Sequence, residues 1–209
     1  LLMEAFSDSE FKCRNLQEGK GLNLDKMNLS NSNLSHLDLR KYNFRQTNLE
    51  NTKIGWSQLQ NVNFSQANLK KASFPYSQLN NANLNEANLK GANLSTTQLH
   101  KARFQGADLR GTNLNSADGL TCGQIKSAVI DEETLLPGYL LMEASSDSEF
   151  NCINLRDGKG LNLSKINLSN ANLPSVDLRE SDLSQANFQN ANLRLSQLQN
   201  ANLSNANLK

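Results

Sequence analysis

Residues 81–100 read NANLNEANLKGANLSTTQLH, and three features of this stretch decide the fold. Leu84, Leu89, Leu94 and Leu99 stand five apart. Each has a small residue two places earlier (Ala82, Ala87, Ala92, Thr97) and an amide in between (Asn83, Asn88, Asn93, Gln98). A helix does not explain that spacing, because five residues advance about 500° and successive leucines would wind around every side. A flat strand fails too, since five is odd and the leucines would alternate faces. A chain that turns a corner once every five residues does bring them together, because every leucine then faces a common axis.

Working outward, the frame runs without a gap from Leu24 to Leu114, with Phe44, Ile54, Phe64, Phe74 and Phe104 replacing leucine, and resumes from Leu163 to Leu208. A second period sits on the first. Ser57-Gln58-Leu59, Ser77-Gln78-Leu79 and Thr97-Gln98-Leu99 recur at a spacing of 20, as do Ala67-Asn68-Leu69-Lys70, Ala87-Asn88-Leu89-Lys90 and Ala107-Asp108-Leu109-Arg110. Four pentapeptides then make one coil, with a square cross-section, and equivalent residues lie about 4.8 Å apart if backbones pair as in a parallel sheet. The first run gives about five coils, roughly 24 Å tall on that rise. Residues such as Ala87 must be small because adjacent walls converge at the corner.

This pattern of a small residue, Asn or Asp, then Leu or Phe, then two variable positions resembles the pentapeptide-repeat family over most of the chain. The resemblance implies an all-β fold, a right-handed quadrilateral (square) parallel β-helix solenoid. One departure matters: the middle position is mainly Asn here, where many members of that family carry Asp. The ends of such a stack are exposed edges that need caps or a partner, which leaves oligomerisation through them open.

A larger duplication overlies the coils. Leu1-Leu2-Met3-Glu4-Ala5 matches Leu140-Leu141-Met142-Glu143-Ala144, and Gly19-Lys20-Gly21-Leu22 matches Gly158-Lys159-Gly160-Leu161. The expected organisation is a partial coil and lead-in over 1–21, a first solenoid block over 22–117, a short helix-and-loop insert over 118–147, and a second block over 148–209 that copies 9–70. The second copy stops in mid-solenoid and the chain opens without Met, so a piece of a longer array is expected. Within the insert, Thr121-Cys122-Gly123-Gln124 has capping-box spacing. Ile125, Ala128 and Val129 have helical spacing, and Pro137-Gly138 reads as a turn. The insert is expected to cover a solenoid edge, and residues 148–157 to restart the five-residue pattern.

Aromatics make up 6% of the 209 residues and the net charge is +1, which suits a thin core and argues against disorder. No run is long and apolar enough for a membrane span, and no signal peptide is visible. Three cysteines, an odd count without a CxxC pair, favour free thiols and a reducing, cytoplasmic setting. Cys13 and Cys152 occupy equivalent variable positions. A leucine-filled solenoid offers no convergent acid, base or nucleophile, so the chain is read as not an enzyme and without a cofactor. His36 and His100 point outward and are too few for a metal cluster, and Asp131-Glu132-Glu133 reads as a charged loop.

Two surface columns remain. His36, Trp56 and Tyr76 align at a spacing of 20, and exposed Trp and Tyr are typical interface anchors. Lys70, Lys90 and Arg110 align in another column. Residues 22–117 hold eleven Lys and Arg against five Asp and Glu, although a solvated face is the simpler account. Three functions follow. The first is a non-catalytic scaffold that docks another protein. The second, which the family resemblance implies, is a DNA mimic that binds a topoisomerase and confers antibiotic resistance. The neutral-to-basic surface disfavours it, because mimicry needs dense negative charge. The third is binding of an anionic partner through the lysine column, with nucleic acid disfavoured by the small net charge.

Overall fold

The computed structural model describes residues 23–40, 42–131, 133–144 and 150–209. The lead-in over 1–21, with Cys13, and Glu132 of the charged loop lie outside them. The chain forms two compact units that meet in sequence at Leu136 and Pro137. The insert expected over 118–147 is therefore shared between the two.

In the first unit the five-residue frame becomes a stack of 20-residue coils. Parallel bridges join each middle residue to the one 20 positions on, as in Asn23↔Asn43, Asn28↔Asn48, Asn33↔Lys53 and Asp38↔Gln58, four to a coil. The backbone of each coil is satisfied by its neighbour: Leu29 N–H donates to Asn48 O at 2.7 Å, and Asn48 N–H to Met27 O at 2.8 Å. Leucines of the five-residue frame from Leu34 to Leu114 point inward and are fully buried, and Phe44 and Phe64 stack with centroids 5.1 Å apart. Each buried leucine contributes about 1.5–3 kcal/mol.

Every corner is a turn. Met27 N–H donates to Leu24 O at 3.2 Å, Ala87 N–H to Leu84 O at 3.1 Å, and the third turn residue takes positive φ, as at Lys26 (61°), Gln66 (60°) and Thr96 (60°). One positive φ at that place is the type II signature, which normally selects glycine or asparagine. Here the column of lysines, glutamines and aromatics is held there because each of their N–H groups bonds the next coil, as Gln66 N–H does to Asn85 O at 2.9 Å. That ladder offsets a left-handed cost of about 1–2 kcal/mol per residue. Pro75 sits at the second turn position, where its fixed φ fits.

Small hydroxyls at the converging corners are buried without loss. Thr52 Oγ1 donates to Leu29 O at 2.9 Å and Ser77 Oγ to Ile54 O at 2.6 Å, each reaching one coil down. The middle asparagines bond within the turn and, in several coils, to the asparagine of the next coil. Asn48 Oδ1 accepts from Glu50 N–H at 3.2 Å and from Asn68 Nδ2 at 2.9 Å, and Asn43 Nδ2 reaches Asn23 Oδ1 at 3.0 Å. A stacked aspartate could accept but not donate, which is why asparagine dominates this column.

The stack is closed by residues 119–131 and 133–136. Helix α1, Cys122–Lys126, begins at Thr121, whose hydroxyl accepts from Gln124 N–H while the Gln124 side chain accepts from Thr121 N–H. The capping box was legible, but the helix stops at Lys126 rather than reaching Val129. Val129 is instead drawn into a parallel bridge with Asp108, and Leu135 into one with Asn113. Gln124 Nε2 caps two carbonyls of the last regular coil, Leu99 O at 3.0 Å and Ala102 O at 2.8 Å. These residues form an extra, irregular coil.

The second unit opens differently from the expectation. Residues 150–157 do not restart the coil. Strand β1, Leu140–Ala144, pairs antiparallel with β2, Phe150–Asn154, and Leu155–Asp157 forms a 3-10 turn. The turn before β1 is present, with Leu140 N–H donating to Pro137 O at 2.9 Å. Gly138 is required there, since a Cβ would lie 2.5 Å from Asn172 O. Regular bridging runs from Asn162↔Asp182 to Asn187↔Asn207.

Candidate interaction surfaces

The aromatic column is built by the corner geometry. His36, Trp56 and Tyr76 occupy the positive-φ position of successive coils, at 63°, 60° and 59°, which throws their side chains off the corner. His36 N–H bonds Gly55 O at 3.0 Å, Trp56 N–H bonds Pro75 O at 2.9 Å, and Tyr76 N–H donates to Thr96 Oγ1 at 3.2 Å. The rings stack: His36 on Trp56 with centroids 6.4 Å apart and planes 5° from parallel, Trp56 on Tyr76 at 4.3 Å and 23°. Trp56 stays 59% exposed and Tyr76 53%, among the few large hydrophobics the first unit leaves in water. Beside them Gly55 leaves space for the next coil, where an added Cβ would meet Pro75 at 3.3 Å.

The cationic column is less free than its composition suggests. It begins with Glu50, whose carboxylate lies 3.6 Å from Lys70 Nζ. Arg110 is held by Asp108 through two bonds, Nε to Oδ1 at 2.9 Å and a terminal nitrogen to Oδ2 at 2.7 Å. Those bonds hold the Asp108 carboxyl below its ordinary range, with the charge of Lys90 adding to the effect. Arg40 grips Asp38 in the same way, and so does Arg179 with Asp177, whose pKa falls to about 2 chiefly through the Arg179 hydrogen bond. Sequence reasoning missed this pairing, although its signal, Asp-Leu-Arg at 38–40, 108–110 and 177–179, was visible.

The insert residues have structural partners. Burial pushes the Asp131 carboxyl up, but hydrogen bonds from Gly111 N–H and Thr134 outweigh it and leave the group below its usual range. His100 lies 3.7 Å from Asp118. A shallow hollow of about 370 Å³ beside α1 is lined by Asn85, Arg103, Gln105, Gln124 and Ser127, and it brings together no acid–base pair. Among the described residues no three His, Cys, Asp or Glu side chains group to hold a metal ion. No helix of the described residues is long and apolar enough to cross a membrane. The free-thiol expectation is corrected: Cys122 and Cys152 are each disulfide-bonded. Odd cysteine counts leave this open, because one thiol can remain over from a formed bridge.

A family model for pentapeptide repeats matches eight copies, over residues 20–51, 52–85, 77–115, 162–196 and 175–209, which is most of the chain. The chain belongs to the pentapeptide-repeat family. Among solved structures this pentapeptide-repeat protein is similar to HetL of the cyanobacterium Nostoc sp. strain PCC 7120, a pentapeptide repeat protein involved in heterocyst differentiation regulation. The identity is 25%, over 92% of this chain and 90% of HetL, with a TM-score of 0.51. Rfr23 of the cyanobacterium Cyanothece 51142 is 25% identical over 55% of this chain and 87% of its own, with a TM-score of 0.39. Full-length QnrB1, a plasmid-mediated fluoroquinolone resistance protein, is 19% identical over 89% and 91%, with a TM-score of 0.23. A comparison with curated proteins gave no match. The family match and the HetL likeness imply a right-handed β-helix.

Proposed function

We propose that this protein is a non-catalytic scaffold, a four-sided right-handed coil that docks another protein along the His36–Trp56–Tyr76 column. The single observation behind this reading is the stacked pair of exposed rings, Trp56 and Tyr76, on a rigid backbone ladder. A solenoid corner places large amphipathic rings in water at little entropic cost, which suits an interface anchor. The involvement of HetL in regulation accords with a family member that works by contact.

Topoisomerase binding through DNA mimicry is the weaker reading. Asp38, Asp108 and Asp177 are each neutralised by an arginine two residues on, and they bridge the amide residues Gln58, Asn88 and Gln197. Anion binding through Lys70, Lys90 and Arg110 is weakened by the Glu50 and Asp108 pairs. A cytoplasmic setting sits poorly with disulfide-bonded Cys122 and Cys152, which oxidising compartments favour.

Trp56 is the sole tryptophan, so its emission reports the column directly. Partners recovered by affinity purification should shift that emission to the blue on titration, and recovery should fail with the Trp56→Ala/Tyr76→Ala protein. Equal recovery with the double variant refutes the aromatic column as the docking surface.

A further inference from the structure

The residues around the aromatic column make an outward strip whose charge is one-sided. Successive coils contribute Asn31, Asn33, Ser35 and His36; Asn51, Lys53, Gly55 and Trp56; Lys71, Ser73, Pro75 and Tyr76; and Gly91, Asn93, Ser95 and Thr96. The bridges Asn33↔Lys53, Lys53↔Ser73 and Ser73↔Asn93 fix these rows above one another. No carboxylate stands in the strip, and its charged residues are Lys53 and Lys71, both exposed. The other three strips of these coils each carry acids: Asp25 and Glu86, Glu50 and Asp108, Asp38 and Asp118.

Those acids also hold three of the cations that lie outside the strip. Lys70 faces Glu50, Arg40 faces Asp38 and Arg110 faces Asp108. Among the described residues Lys53 and Lys71 have no ion pair, and the aliphatic stem of Lys71 runs beside Gly91, where a Cβ would lie 3.7 Å from Lys71 Cγ. The stacked rings turn their faces along the column and their edges outward. Aromatic edges carry the positive end of the ring quadrupole, so they favour carboxylate and carbonyl oxygens.

Resting on the docking reading above, we infer that the strip of Lys53, Trp56, Lys71 and Tyr76 binds an acidic segment of a partner protein, one with carboxylates next to an apolar side chain. Charge complementarity carries the inference: two unpaired ammonium groups border an uncharged aromatic ridge on the one acid-free strip. The geometry fits nucleic acid less well. Two lysines release few counterions from a phosphate backbone, and rings stacked on each other offer few free faces to bases.

The test is selection of phage-displayed random short peptides on the full chain, followed by titration of the best synthetic peptide. Enriched peptides should be rich in Asp and Glu and contain an aromatic or aliphatic residue. Affinity should fall about tenfold or more in Lys53→Glu/Lys71→Glu and similarly in Trp56→Ala/Tyr76→Ala. All four side chains are exposed, and circular dichroism checks that both variants keep the fold. Enrichment of neutral or basic peptides that is lost only with the aromatic variant leaves the docking surface standing and overturns the acidic partner. Peptides indifferent to both variants, or no enrichment at all, overturn both. Displacement of the peptide by heparin or oligo-dT at lower concentrations than by free peptide shows a polyanion site and overturns the protein-segment proposal.

Discussion

Two stretches built on the same five-residue pattern differ in burial. Leu89, Leu94, Leu99 and Leu109 of the first unit are fully buried. In the second unit Leu193, Leu198 and Leu203 occupy the same kind of inward position yet are only half-buried, and Leu208 is 59% exposed. Side chains and corner turns are alike. The difference lies in what covers them: α1 and the bridges of Val129 and Leu135 cover the first stack, while among the described residues Asn192, Gln197, Asn202 and Asn207 bridge only to the preceding coil. A leucine here is buried by the coils around it and not by its own, so stability is a sum of neighbour contacts.

The sharpest break in that comparison is truncation of a leucine in each stretch. Leu89→Ala should cost about 2–5 kcal/mol, the usual range for a fully enclosed leucine. Leu203→Ala should cost about 1 kcal/mol or less, since water already reaches that side chain. Urea unfolding of the two variants gives the difference, and equal losses would remove neighbour burial as its cause. Next in size is the cover itself. Gln124→Ala removes the side-chain donor to Ala102 O, leaves Leu99 O with only the turn bond from Ala102 N–H, and removes one arm of the capping box, for a loss of about 1–3 kcal/mol. Hydrogen exchange should quicken first at the amides that tie the cover to the last coil: Val129 and Leu135, which donate to Ala107 O and Thr112 O, and Leu109 and Leu114, which donate to Val129 O and Leu135 O.

The smallest effect is electrostatic. Asp177 is held at about 2 by Arg179, below the ordinary carboxylate value of about 3.9. A depressed carboxyl contributes stability that is fully present above its unfolded value and is lost as pH falls toward the folded one, so the window is about pH 4 to 2. Asp177→Asn should flatten the acid limb of the stability profile there and leave the neutral region nearly unchanged. The pair is still reached by water, which keeps the effect modest.

Much of the fold was legible because burial alone sets the five-residue period. Leu84, Leu89 and Leu94 can share an axis in only one kind of chain, and the 20-residue repeat gives the register seen in Asn68↔Asn88. The capping box at Thr121 was equally local. What stayed hidden depends on partners far along the chain. Lys26, Trp56 and Thr96 would not choose positive φ alone; the N–H ladder to the next coil imposes it. Val129 has helical spacing from Ile125, but the open ladder groups of the last coil, Ala107 O and Leu109 N–H, claim it for a bridge. The pairing of β1 with β2 overrode a pentapeptide-like sequence at 150–154. The alignment of His36, Trp56 and Tyr76 could be predicted, whereas the pairing of Lys70 and Arg110 depends on acids outside the lysine pattern.

The central claim is that one residue in five faces the axis. An asparagine scan from Leu84 to Leu94, read as urea midpoints, tests it most directly. Deep losses are expected at Leu84, Leu89 and Leu94 and smaller ones at Ala87 and Ala92, with little change at Glu86 and Lys90. Losses recurring every second residue, or every third and fourth, would contradict the account.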